Sequence, residues 1–291
     1  MRLYKYLHPD RTDVLRDSII RFSSARGLND PFELKPNFAA FAPREYIHSE
    51  IGRLMPGIAA QQYSEAPEQL RTIIPLEVFQ AFSQSLLPGM KLTAEKVMEA
   101  VLPGIRDVFS QKFEELLGIL CLTESPTNLL MWAHYADSHQ GFVVEFDPES
   151  PFFDQRLGPD DELRHLRKVV YRSERPAVIL TEIEDFSPFL TKGQDWSYEA
   201  EWRMMMPLSD ASQVVGEGST AVHLFQFPKS MVRGVILGCR MTEPKKTEIR
   251  QILNAASEYD HVHLAGARID DTLYRMLVTD EPRVDSTNRL T

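Results

Sequence analysis

The chain has few of the features that identify a protein class directly. Its 291 residues include two cysteines, Cys121 and Cys239, and both lie in apolar runs. Two such thiols do not make a disulfide framework, and they indicate a reducing compartment. The N-terminus has no apolar signal segment, and no run reaches the roughly 18 apolar residues of a membrane-spanning helix. We therefore expect a cytoplasmic protein without a membrane anchor.

Positive charge is also scarce. Asp and Glu number 42 against 32 Lys and Arg, which gives a formal net charge of −10. Broad non-specific binding to nucleic acid needs a surplus of basic residues, so this composition argues against it. Phosphate-binding glycine loops and the G-x-S-x-G nucleophile motif are missing as well. The sequence therefore does not point to a nucleotide triphosphatase or a serine hydrolase.

The histidines do not form a recognisable metal site. His134 and His139 lie near Asp137, but their spacing places the two rings about 140° apart on a helix. His261 and His263 share one face of a predicted strand without a matching acid. The C-x-x-C and H-E-x-x-H patterns are absent. We therefore predict no metal ligands.

The apolar pattern predicts an α+β fold. Strand-like runs dominate residues 1–42 and 118–278, whereas residues 43–117 repeat apolar residues at helical spacing. We expect a single domain over residues 1–291, with a mixed, mostly antiparallel sheet as its core. The helical segment would form an insertion lobe, and residues 279–291 a polar tail.

Local patterns predict individual elements at both ends of the sheet core. We predict strands at Leu3–Leu7 and Ile19–Ser23, with a short helix over Thr12–Ser18 between them. Two later strands are predicted at His165–Arg172 and Tyr198–Met206. The opening of the chain is therefore expected to run strand, helix, strand.

Three separated segments concentrate polar and aromatic residues. Asn128–Asp147 combines a helix rich in aromatics with a strand, and Asn29–Glu33 and Trp196–Arg203 are the other two. We expect the three to line one pocket. His134 would be buried there and hydrogen-bonded either to the loop Asn29–Glu33 or to Glu201, because a buried imidazole needs partners for its nitrogens.

Glu199 and Glu201 are the candidate catalytic pair. On a strand, residues two apart point to the same side, so both carboxylates would face one cleft. Two neighbouring carboxylates raise one pKa, which suits acid–base chemistry or stabilisation of a developing cation. The alternative is structural, with Glu201 paired to Arg203 on an edge strand.

At these residues the chain resembles a bacterial family of proteins of unknown function, DUF2971. The resemblance extends over about residues 3–206, and the family name implies no activity. The blocks that carry it are Tyr4–Tyr6, Arg21–Ser24, Leu28–Glu33, Cys121–Glu124, Leu130–Asp137, Gly141–Phe142 and Trp196–Arg203.

The order of elements is also similar to that of the ADP-ribosyltransferase fold, in which a late strand carries a catalytic Glu. Lys5 stands in the first strand where that fold usually has Arg or His. The resemblance implies an enzyme that cleaves the nicotinamide–ribose bond of NAD and transfers ADP-ribose to an unknown macromolecular acceptor, a chemistry that would suit bacterial defence. It would make Glu201 and Glu199 catalytic. The residues that would then bind NAD are Lys5, Tyr6, Ser23, Ser24, Asn29, Trp132, His134, Tyr135 and Trp196.

Two other functions are consistent with the same residues. A nuclease or other phosphodiesterase would gather Asp30, Glu33, Asp137 and Glu201 around Mg²⁺. A non-catalytic module would use the aromatic cleft to bind a nucleotide or a peptide.

Overall fold

The computed structural model describes residues 1–283 and divides the chain into two compact units. The first, called the sheet unit, contains Met1–Leu34, Lys112–Glu174 and the chain from Phe189 onward. The second, called the helical unit, contains Lys35–Gln111 and Arg175–Pro188.

The described residues contain seven α-helices and fifteen strands. The helices are α1 (Asp13–Arg16), α2 (Arg44–Glu65), α3 (Glu68–Ile73), α4 (Leu76–Ser85), α5 (Leu87–Leu116), α6 (Leu129–Tyr135) and α7 (Glu243–Ala255). The strands are β1 (Leu3–Leu7), β2 (Ile19–Phe22), β3 (Asn37–Ala40), β4 (Leu117–Thr123), β5 (Phe142–Phe146), β6 (Leu166–Lys168), β7 (Val170–Arg172), β8 (Ala177–Ile179), β9 (Thr191–Gly193), β10 (Glu201–Pro207), β11 (Gln213–Val215), β12 (Val222–Gln226), β13 (Val232–Leu237), β14 (His263–Ile269) and β15 (Met276–Asp280).

The main sheet of the sheet unit has eight strands in the order β15-β14-β13-β5-β1-β4-β10-β6. Strands β13 and β14 run parallel, and the other neighbours in this sheet run antiparallel. A second sheet, β11-β12-β2, is antiparallel. The predicted α+β class with a mixed, mostly antiparallel sheet is therefore confirmed.

Strand β1 lies in the middle of this sheet, and hydrophobic clusters pack against both of its faces. Leu3 and Leu7 join the main core, together with Val14 and Leu15 of α1. Tyr4 and Tyr6 point to the opposite face, since side chains alternate along a strand. There they pack in a second cluster with Met131 and Trp132 of α6. Helix α6 is thereby fixed against β1.

The edge of β4 that faces β1 is shared by two partners. Tyr4 of β1 pairs with Thr123, whereas Ser23, just after β2, forms a bridge with Ile119. Residues two apart on a strand direct their backbone groups to the same edge, so the carbonyl of Cys121 falls between these two pairs. Strands β1 and β4 therefore separate below Thr123, and we call this separation the split in the main sheet.

The helical unit contains four consecutive helices within residues 44–116, as the apolar spacing predicts. Two short strands, β3 and β8, pair in parallel within this unit. Several apolar side chains of its helices are exposed: Leu54, Ile58, Ile73, Val78 and Phe82.

Within residues 1–283, no helix combines the length and the apolar character needed to cross a bilayer.

Some predicted boundaries need correction. The helix predicted at Thr12–Ser18 is shorter, Asp13–Arg16. The strand predicted at His165–Arg172 is interrupted at Val169, whose backbone N–H donates to the carbonyl of Glu201. The two parts, β6 and β7, belong to different sheets. The predicted polar tail overlaps the end of β15, and its residues 284–291 lie outside the described residues.

Candidate functional site

A cavity of about 500 Å³ lies in the sheet unit where β4 and β1 separate. Asn29 and Glu33 line it from the loop after β2, Tyr135 from α6, and Glu199 and Glu201 from the segment that enters β10. The three segments rich in polar and aromatic residues therefore meet at one cavity, as the sequence predicts.

The other predicted NAD-binding residues are divided. Lys5, Tyr6, Ser23 and His134 also line the cavity. Trp132 has no exposed surface, and its indole N–H donates to the carbonyl of Pro126 at 2.9 Å. The two remaining residues, Ser24 and Trp196, are half-buried and lie outside the cavity lining.

Lys192 is the centre of a buried ionic cluster at the wall of this cavity. Its strand β9 pairs with β7, which places Lys192 opposite Tyr171. The Lys192 Nζ lies 2.6 Å from Glu199 Oε2, 3.0 Å from Glu201 Oε2 and 3.4 Å from Glu33 Oε2. One ammonium group thereby joins three carboxylates from two parts of the chain.

Arg203 is the second cation of the cluster. It lies two residues after Glu201 on β10, so both side chains point to the same side of the strand. Its Nε donates to Glu201 Oε1 at 2.8 Å and its Nη2 to Glu201 Oε2 at 2.9 Å, a bidentate pair. Arg203 also pairs with Glu33 and donates to the carbonyl of Phe189. Because Arg203 is fully buried and β10 lies between β4 and β6, the alternative of a surface pair on an edge strand is wrong.

Glu199 reaches the cavity in a different way from the one predicted. The strand predicted from Tyr198 begins only at Glu201, and Glu199 ends a 3₁₀-helix over Gln194–Glu199. Between them, Ala200 adopts the left-handed conformation, with φ 44° and ψ 53°. This turn, not strand alternation, brings the two carboxylates to the same ammonium group.

Further hydrogen bonds hold both glutamates in place. The Tyr135 hydroxyl donates to Glu199 Oε1 at 2.6 Å, and the Thr123 hydroxyl donates to the backbone carbonyl of Glu199 at 2.5 Å. The backbone N–H of Glu201 donates to the Tyr171 hydroxyl at 2.8 Å. Burial raises the pKa of Tyr171 to about 12, so this phenol stays protonated at neutral pH.

The charges of the cluster do not cancel. Three carboxylates, Glu33, Glu199 and Glu201, face two cations, Lys192 and Arg203. Burial opposes ionisation of Glu201, but Arg203 and Lys192 outweigh it and hold the pKa of Glu201 well below its usual range. Burial dominates at Glu33 and raises its pKa. With all three carboxylates ionised, the cluster carries one excess negative charge in a poorly solvated place, and protonation of Glu33 would remove it.

Lys5 lies on the same cavity in a different environment. Its Nζ donates to the carbonyl of Cys121 at 2.9 Å, at the split beside β4. Burial lowers the pKa of Lys5 because the charged form is poorly solvated there. The Cys121 thiol beside Glu201 has its pKa raised by burial, so it stays protonated.

The prediction for His134 is wrong in part. The side chain lines the cavity but is exposed, and its Nδ1 lies 3.3 Å from the hydroxyl of Tyr198. Trp132 takes the buried face of the short helix α6, and a residue two positions on lies about 200° away. Tyr135 makes one contact that was expected of His134, with the Asn29 side chain, and its hydroxyl binds Glu199, not the predicted partner Glu201.

The four carboxylates proposed for Mg²⁺ already have other partners. Asp30 accepts the backbone N–H of Phe32, and Asp137 lies 3.6 Å from His8. The other two, Glu33 and Glu201, bind the cluster cations. Across residues 1–283, no group of three or more His, Cys, Asp or Glu side chains is placed to hold a metal ion.

Comparison with known proteins adds one match. The family model described as protein of unknown function (DUF2971) matches residues 131–204. This range runs from α6 into β10 and includes Glu199, Glu201, Lys192 and Arg203, so the resemblance seen in the sequence motifs is confirmed there. No curated protein and no solved structure matches the chain.

Proposed function

We propose that the cavity binds NAD and that the protein is an ADP-ribosyltransferase-like enzyme. It would cleave the nicotinamide–ribose bond and transfer ADP-ribose to a macromolecular acceptor. The observation that carries this proposal is the position of Glu199 and Glu201 together at the wall of a cavity of about 500 Å³. That volume lies in the usual range of small-molecule sites.

The surplus negative charge supports this chemistry. Cleavage of a glycosidic bond passes through a state in which the sugar ring carries positive charge. Fixed carboxylates beside that ring stabilise the charge most strongly where water is excluded. Glu199 and Glu201 are each 3% exposed, and with Glu33 they outnumber the two cations beside them.

The hydrogen bonds suggest different roles for the two glutamates. Glu201 accepts three hydrogen bonds from Arg203 and Lys192, so it acts as a fixed negative charge. Glu199 accepts from Lys192 and Tyr135, and the tyrosine hydroxyl can turn away toward a ligand. Glu199 is therefore the better placed to bind a ribose hydroxyl or to take a proton from the acceptor.

Other groups around the cavity suit the rest of the dinucleotide. Lys5 offers an N–H donor to a diphosphate, and Asn29 and Ser23 offer polar contacts. Tyr135 and Tyr6 present aromatic rings for the bases. Because Trp132 is fully buried, it is left out of the proposed NAD contacts.

Release of free nicotinamide from NAD tests the proposal. We expect release by the unmodified protein, and a loss of about 10²-fold or more in Glu199→Gln, the size usual for removing an acid–base group. Glu201→Gln should also lower the rate, and circular dichroism must show both variants folded. Glu145→Gln is the matched control, because Glu145 lies on β5 away from the cluster and pairs with Arg2 at 3.4 Å. If NAD neither binds nor releases nicotinamide, the proposal fails.

One observation favours a second candidate, a non-catalytic nucleotide-binding module. Both oxygens of Glu201 are already occupied by cations, as in a purely structural ion-pair network. A shift of the melting temperature by NAD with no nicotinamide release, in the presence of cell extract as a source of acceptor, would favour this module.

The free thiols suit the compartment in which NAD is abundant. Cys121 and Cys239 are unpaired and both half-buried. Thiols of this kind are typical of a reducing interior. We therefore place the proposed activity in the cytoplasm, with a small nucleotide and a macromolecular acceptor as its partners.

A further inference from the structure

Two lysines line the cavity in opposite surroundings. Lys192 has three carboxylates within 3.4 Å of its Nζ, and although burial opposes its charge, these neighbours raise its pKa. Lys5 has no carboxylate within 4.0 Å of its Nζ among residues 1–283. The same cavity therefore holds one firmly charged lysine and one that lacks an ion-pair partner.

The split in the sheet explains how Lys5 is held. Strand β4 pairs with β1 at Thr123 and with Ser23 at Ile119, which leaves the Cys121 carbonyl between them without a strand partner on that edge. The Lys5 Nζ donates to this carbonyl at 2.9 Å. A backbone group that would otherwise lack a partner thus fixes the position of the lysine nitrogen.

Loss of the proton from Lys5 leaves this arrangement intact. A neutral primary amine still has two N–H donors, so the Cys121 carbonyl keeps its hydrogen bond. Neutral Lys192, in contrast, would leave three buried carboxylates short of a cation, which is strongly unfavourable. Geometry therefore allows the reactive amine form at Lys5 and opposes it at Lys192.

Charged groups from every neighbouring element act on Lys5. The largest effect is burial, which lowers its pKa. Glu201 on β10 and Glu199 beside it favour the charged form, whereas Arg11 disfavours it. Burial outweighs the acidic neighbours, in agreement with the absence of a direct ion pair.

We propose that Lys5 is a covalent binding site, at which the cavity holds a small aldehyde or ketone as an imine. The lone pair of the Lys5 nitrogen attacks the carbonyl carbon, and a carbon–nitrogen bond forms. The carbonyl oxygen takes both amine protons and leaves as water. No oxidant or reductant is needed, and the tyrosines that line the same cavity suit an aromatic carbonyl compound. Imine formation at Lys5 does not depend on NAD being the ligand of the cavity.

Labelling with benzaldehyde and sodium cyanoborohydride, followed by peptide mass spectrometry, tests this site. At pH 7 we expect Lys5 to be alkylated several times faster than the exposed Lys96 of the helical unit, and Lys192 to be the slowest of the three. The rate at Lys5 should level off at a lower pH than the rate at Lys96, which separates amine protonation from access. Lys5→Arg keeps a donor for Cys121 and removes the amine, so the adduct should disappear from a folded protein. Labelling of Lys5 no faster than Lys96, or with the same pH profile, would overturn the inference.

Saturating NAD separates this inference from the proposed function. If NAD protects Lys5, both stand. If Lys5 reacts rapidly and NAD does not change its labelling rate, the covalent site is supported and the proposed nucleotide contact at Lys5 is wrong. If calorimetry shows NAD binding but Lys5 is not labelled, the covalent site falls and the proposed function is unaffected.

Discussion

Replacement of Lys192 by methionine tests the ionic cluster most directly. Methionine keeps most of the side-chain volume and removes the charge. Glu33, Glu199 and Glu201 would then share Arg203 as their only cation among the described residues of the cluster. Glu199 is affected most, because Lys192 is its cationic partner at 2.6 Å.

The expected loss of stability is large. Breaking a buried ion pair by removing one partner costs about 3–5 kcal/mol, because the remaining charge is left uncompensated. Lys192 is 7% exposed and contacts three carboxylates, so solvent screening relieves little of this. A carboxylate can take up a proton instead, so the loss should shrink as the pH is lowered from 7.5 toward 5.

Urea unfolding followed by tryptophan fluorescence measures the effect. Lys245→Met is the matched control, because Lys245 also contacts two carboxylates, Asp10 and Glu248, but on the surface. It should change the unfolding midpoint little, since exposed ion pairs contribute little. A double variant, Lys192→Met with Glu33→Gln, restores the original surplus of one negative charge and should recover part of the loss.

The stabilising role of Lys192 is refuted if Lys192→Met unfolds at the same urea concentration as Lys245→Met at pH 7.5. It also fails if the double variant is less stable than Lys192→Met alone, because relief of charge would then play no part.

Three further predictions concern the pH dependence of the cluster, two glycines and His134. The pKa of Glu201 is lowered and that of Lys192 raised, so their stabilisation should be complete between about pH 4.3 and 10.4. It should decline progressively as the pH falls below this range toward the lowered pKa of Glu201, or rises above it toward the raised pKa of Lys192, as urea midpoints against pH will show. Gly141→Ala should lower the free energy of unfolding by about 1–3 kcal/mol or more, since its Cβ would lie 2.0 Å from the Leu7 carbonyl oxygen. Gly57→Ala, whose Cβ would meet no atom within 4 Å, should stabilise α2 by about 1 kcal/mol, and thermal melts measure both variants. His134→Ala should change stability by less than about 0.5 kcal/mol, because the ring is exposed; a loss above about 1 kcal/mol would contradict that exposed position.

Much of the sheet unit follows from residue periodicity. The first strand has the predicted bounds, Leu3–Leu7, because the run is rich in residues that favour strands and His8-Pro9 ends it. Glu201 and Arg203 share a face because strand alternation is a local rule. The helices within residues 44–116 were also predictable from apolar spacing.

Lys192 could not be predicted in the same way. It lies in a three-residue strand, which is too short to show alternation, and its neighbours Thr191 and Gly193 give no apolar pattern. Its burial depends on partners that come from distant parts of the chain. His134 was misplaced for a related reason: α6 has only seven residues, and their aromatic content does not reveal which face packs on β1.

The two candidate catalytic glutamates show how a correct grouping can follow from a wrong local structure. Strand alternation predicts that Glu199 and Glu201 share a side, and the structure unites them through a left-handed residue, Ala200. A left-handed residue other than glycine is unfavourable by about 1–2 kcal/mol, so surrounding contacts must stabilise it. The Ala200 carbonyl accepts the N–H of Glu124, and the hydroxyl of Thr123 binds the neighbouring carbonyl of Glu199. Strand β4 therefore fixes the turn, and it is the same strand whose opposite edge opens into the cavity. The carboxylates, the turn and the cavity thus depend on one element, Leu117–Thr123.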